Sequence, residues 1–71
     1  MINVWFQDSE EKERIIGQAK DKNDIFNVIN KFLNEHNFKS YYIRTWYDLE
    51  TKRTWYDVGS HIEFFFVKNE E

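Results

Sequence analysis

A chain of 71 residues without a single cysteine must close its core from side chains alone, since disulfides and thiolate metal sites are excluded by composition. The net charge is −3, with acidic and basic residues interleaved, which excludes the basic block that nonspecific duplex binding draws on. Aromatic residues make up 20% of the chain, and each buried ring removes on the order of 150–250 Å² from water, so a short chain can still build a core.

No apolar run approaches the ~20 residues that a membrane-spanning helix needs. The opening MINVWFQDSEE lacks the basic segment and long apolar stretch of a signal peptide, so a cytoplasmic location is expected. Residues 1–67 read as one domain, followed by a loose tail from Lys68 to Glu71.

Ile2, Val4 and Phe6 alternate with Asn3, Trp5 and Gln7, a period-two pattern that predicts a first strand. Asp8-Ser9-Glu10-Glu11 interrupts it. Asp8 with Glu11 resembles a helix capping box, but a helix from there to Asn37 would reach roughly 45 Å, longer than so small a domain can cover. Ile15, Ile16 and Ala19, with Gly17 among them, also make a poor helical stripe. A second strand from Glu13 to Ala19, folded back on the first, is therefore expected.

Ile25, Phe26, Val28, Ile29, Phe32 and Leu33 recur at helical spacing, with Asn23 or Asp21 as cap and an end near His36-Asn37. Three further strands are predicted over Tyr41–Tyr47, Arg53–Val58 and His61–Val67, none of them broken by proline. The order ββαβββ predicts an α+β domain, an antiparallel sheet with one helix packed on one face.

The pentapeptide Arg-Thr-Trp-Tyr-Asp occurs twice, at 44–48 and 53–57, with Leu49-Glu50-Thr51-Lys52 between the copies. Around a four-residue loop the copies complement each other: Asp48 faces Arg53, Trp46 faces Trp55 and Arg44 faces Asp57. A tandem binding motif is the competing reading. So short a repeat does not define a repeat architecture.

Gly59-Ser60 suits a two-residue type II′ turn. That register places Trp55 opposite Phe64 and groups Trp46, Trp55, Ile62, Phe64 and Phe66 on the face expected beneath the helix. Tyr41, Ile43, Tyr47, Tyr56, Val58, His61, Glu63 and Phe65 then fall on the open face and form the expected partner-binding surface. A three-residue loop through Asp57-Val58-Gly59 would instead carry His61, Glu63 and Phe65 to the tryptophan side. The alternative to any open patch is that the strands curl around the helix or the early hairpin folds over the second face.

Enzyme signals are thin, with two glycines and no phosphate loop or nucleophile motif. No catalytic residue, cofactor or metal is expected. His61 and Glu63 lie two apart and could share a metal ion or a proton; an exposed pair on a strand explains them as well.

The segments YYIRTWYD and WYDVGSHIEFF, preceded by KFLNEHNFKS, resemble small uncharacterised proteins of phages and prophages in low-GC Gram-positive bacteria. The resemblance covers Lys31 to about Phe66 and brings no activity, cofactor or catalytic residue with it. It implies a phage-encoded accessory protein that acts by binding. The function expected is a non-enzymatic interaction module contacting a protein, either a second copy or a host factor. The alternative is a single-stranded nucleic-acid binder using sheet aromatics beside Arg44 and Arg53.

Overall fold

The computed structural model describes residues 1–38, 43–60 and 62–68. Their elements are β1 (Ile2–Gln7), β2 (Glu13–Ala19), α1 (Asp24–Glu35), β3 (Arg44–Asp48), β4 (Arg53–Asp57) and β5 (Phe64–Lys68). The strands form one antiparallel sheet in the order β2-β1-β5-β4-β3, so the first strand is inserted beside the last. The expected α+β architecture and the order ββαβββ are both present. Lys68 closes β5 opposite Arg53 rather than opening a tail, and residues 69–71 lie outside the described residues.

Asp8 turns the chain instead of capping a helix. Its Oδ1 accepts the Glu10 and Lys12 amides at 2.9 and 3.0 Å, and Glu11 takes a φ of 64° in the resulting turn. The hairpin that follows has a bulge, marked by a register shift between Val4 and Trp5.

The helix starts where Asp21 Oδ1 accepts the Asp24 amide at 2.9 Å; Asn23 occupies the cap position without a side-chain bond. It ends in a Schellman motif: Asn37 adopts φ 54°, its amide donates to Asn34, and the Phe38 amide donates to Leu33 at 2.9 Å.

Ile25, Ile29 and Leu33 pack with Val4, Phe6, Ala19, Tyr56, Val58, Phe65 and Val67 in one core. The helix lies over β2 and β1 and reaches β4 through Phe26, edge-on to Tyr56 at 5.7 Å. β3 is left beyond it, with Arg44, Thr45, Trp46 and Tyr47 all exposed.

This reverses the expected assignment of faces. Tyr56, Val58 and Phe65 were placed on an open docking surface, yet they are 5%, 2% and 1% exposed beneath the helix. Ile43 is partly buried against the same core. Tyr41 and His61 lie outside the described residues. The helix settles where the sheet offers close approach: Gly17 lies opposite Val4 and Ala19 opposite Ile2, whereas a row of indoles would hold it off.

The last hairpin also departs from the expected turn. Trp55 faces Phe66, not Phe64, a slip of two residues that keeps every side chain on its own face. Gly59 does take a positive φ, 97°, but the connection is wider than two residues. Asp57 Oδ1 accepts the Gly59 amide at 2.9 Å, and Ser60 Oγ accepts the Ile62 and Glu63 amides at 3.3 and 3.1 Å. These side-chain acceptors satisfy loop amides that a tight turn would have left to the ladder.

Candidate interaction surface

Cross-strand partners share a face, so the registers define what the helix-free side presents. Ile15 pairs with Trp5, Trp5 with Phe66, Phe66 with Trp55 and Trp55 with Trp46. One continuous apolar row therefore crosses all five strands, four of its five members aromatic. Trp5 stacks on Phe66 with centroids 5.7 Å apart and planes at 12°; Trp55 tilts against Phe66 at 4.8 Å. Phe64 sets its edge to Trp46 and Trp55 at 6.3 and 6.2 Å, geometry that suits the ring quadrupoles.

Cations roof the middle of this row. The Arg53 guanidinium lies 4.5 Å from the Phe66 centroid and donates to Glu13 Oε2 at 2.8 Å, joining residues forty positions apart. Lys68 Nζ stands 4.0 Å from the centroid of Trp5. Phe66 is consequently fully buried on a face that no helix covers. The sheet has a second, smaller core made of rings and cation stems.

At the ends of the row the cover stops. Trp46 is 43% exposed and Ile15 49%. Tyr47, on the reverse face of β3, is also open, and it is the one expected contact residue that the described structure leaves clearly accessible. Glu63 is half-buried. Sequence reasoning placed Trp46 and Trp55 on one face correctly but assigned that face to the helix. It missed Trp5, Ile15 and Lys68 as members of the surface, because nothing local announces that β1 pairs with β5.

Electrostatics bear on the partner. Arg44 Nη2 donates to Asp57 Oδ2 at 2.6 Å, where Asp57 is buried and Arg44 is largely exposed. Asp48 lies opposite Arg53 as expected, but its carboxylate accepts the Glu50 amide and the Thr51 hydroxyl at 3.0 Å, while the Arg53 side chain turns to Glu13. Both arginines that could have met phosphates are thus matched by carboxylates. Burial raises the Tyr56 phenol above its ordinary range, against the opposing effect of a hydrogen bond with Thr45. The Lys20 amide and the Asn27 side chain, both donating to Asp24, hold that carboxyl below the usual range.

A cleft of about 290 Å³ opens at the far end of the helix, floored by Phe6, Phe32 and Phe65 and rimmed by Arg14, His36 and Glu63. His36 Nδ1–H donates to the Phe32 carbonyl at 2.8 Å, and its ring stacks on Phe32 at 4.0 Å. The imidazole is thereby committed to the helix end. Among the described residues no group of three or more His, Cys, Asp or Glu side chains is placed to hold a metal ion, and no helix is long and apolar enough to cross a membrane. The His61–Glu63 pair cannot be described, since His61 lies outside the described residues.

No family model, curated protein or solved structure matches the chain.

Proposed function

We propose that the protein is a small non-enzymatic interaction module whose contact surface is the helix-free aromatic face. One observation carries this reading: the apolar row crosses the whole sheet, yet only its centre is roofed, leaving Trp46 and Ile15 open at its two ends. An exposed indole at one end and a branched apolar side chain at the other, flanking a cation-covered aromatic centre, give the composition of a protein contact surface. The partner is a protein that offers apolar surface to Trp46 and Ile15. The resemblance of residues 31–66 to phage and prophage proteins supports an accessory role in which that partner is a host protein. The pairing of Arg44 with Asp57 and of Arg53 with Glu13, on a chain of net charge −3, favours protein over single-stranded nucleic acid.

The test compares proteins retained from the host by the wild-type chain and by the double variant Trp46→Ser/Ile15→Ser. A partner retained by the first and lost by the second, with far-UV circular dichroism unchanged, is the expected result. Identical retention by both removes the face from consideration. Salt-sensitive quenching of tryptophan emission by a single-stranded oligonucleotide would transfer the surface to nucleic acid.

A further inference from the structure

β3 is the least covered of the described elements. Among the described residues it is a sheet edge, with β4 as its neighbour in the strand order, and residues 44–47 are all exposed. Such an edge can accept a further strand, and natural sheets often blunt it with a bulge, a proline or a lysine. The opposite edge, β2, sits in a bulged hairpin and has Glu13 and Arg14 at its start. β3 is five residues, RTWYD, with no bulge, proline, glycine or lysine.

Its inner edge already shows what such a strand accepts. β4 has the same five letters, and the two run antiparallel with Arg44 opposite Asp57, Thr45 opposite Tyr56, Trp46 opposite Trp55, Tyr47 opposite Thr54 and Asp48 opposite Arg53. RTWYD is therefore its own antiparallel complement.

From this we infer that a second copy of the chain pairs with the outer edge of β3, antiparallel about a twofold axis through Trp46. Arg44 then lies opposite Asp48 of the second copy, Thr45 opposite Tyr47, and Trp46 opposite Trp46. The β3–β4 register is repeated pair for pair, and a closed twofold interface needs only one self-complementary strand. The two sheets become one of ten strands, and the aromatic row runs uninterrupted from Trp5 of one copy to Trp5 of the other. The inference concerns the rim of the sheet and goes beyond the face contact proposed above.

The lack of native cysteine makes the register directly testable. Opposed residues of an antiparallel pair stand about 4.5–5.5 Å apart at Cα, within disulfide range. Trp46→Cys is expected to give a disulfide-linked dimer under mild oxidation on the order of tenfold faster than Leu49→Cys in the adjoining turn, as pairing raises the effective concentration. An equimolar mixture of Thr45→Cys and Tyr47→Cys chains, which keeps Trp46, is expected to cross-link faster than either chain alone. Sedimentation equilibrium of the unmodified chain should show its mass doubling from low to high micromolar concentration.

A chain that stays single at the highest concentration overturns the inference, and so does a dimer in which neither cysteine experiment shows register preference. In that second case the copies meet elsewhere, through the face or otherwise. Loss of the host partner from Trp46→Ser/Ile15→Ser in a strictly monomeric chain would leave the face reading standing by itself.

Discussion

Replacing Gly17 by alanine tests why the helix covers the side it does. Gly17 lies in β2 opposite Val4, and a Cβ built there would come 2.9 Å from Val28 Cγ1 on the helix. That is at least about 0.6 Å inside the 3.5–4.0 Å optimum for two carbons. The valine cannot swing aside freely, because β-branched residues in helices hold one strongly preferred rotamer. The helix must then lift from the sheet or the strand must bend, at roughly 2 kcal/mol for an overpacked site. Alanine recovers about 0.5–1 kcal/mol of the conformational entropy that glycine loses in a strand. The net loss is about 1 kcal/mol, a fall in Tm of about 4–8 °C for a domain this size.

The assay is thermal unfolding of Gly17→Ala, Val28→Ala and the double variant. Because the clash is with one methyl, the two substitutions should couple by about 2 kcal/mol, with Gly17→Ala stabilising by about 0.5–1 kcal/mol in the Val28→Ala background. A Gly17→Ala protein as stable as wild type, or a double variant whose losses simply add, refutes the reasoning: the glycine would then not set the distance between helix and sheet.

Two further predictions concern the other layers. Arg53→Ala removes a guanidinium at 4.5 Å from Phe66 and a partly shielded ion pair with Glu13; the loss should be about 1–2 kcal/mol in urea unfolding. Arg53→Met, which keeps a flexible stem over the ring, should recover about half, and equal losses would mean that charge rather than cover is what matters. For Tyr56, burial raises the phenol pKa above its unfolded value near 10. The unfolded chain therefore ionises first, and this residue's contribution is constant below about pH 10 and falls as pH rises through the folded value. Tm followed from about pH 9 to 11.5 should decline less steeply for Tyr56→Phe than for wild type; parallel declines would show that the phenol is not the group responsible.

The β3–β4 hairpin was legible because both partners are local and their letters state the register: all five expected pairs are found. β2 was legible from what Gly17 and its neighbours disfavour. The side chosen by the helix was not, since counting rings favours the tryptophan face, whereas close packing favours the face with Gly17, Val4 and Ala19. An indole is broad and carries an N–H that must go somewhere; Trp5 Nε1 is buried without an acceptor even on the open side. The union of β1 with β5 escaped for another reason, as contacts between the two ends of a chain leave no short-range signature. The Gly59 turn misled because the hydrogen-bonding reach of Asp57 and Ser60 outweighed the backbone preference of the Gly-Ser pair.

All three tryptophans of the chain, Trp5, Trp46 and Trp55, belong to the single row away from the helix. Excitation at the red edge of the ultraviolet absorption therefore illuminates one layer of this molecule and is blind to the other, whose reporters are phenylalanines and Tyr56. A melting curve recorded by indole emission describes how the ring layer lets go of Arg53 and Lys68, not how the helix departs. Whether the two layers dissolve together can be read by laying that curve over one recorded from the backbone.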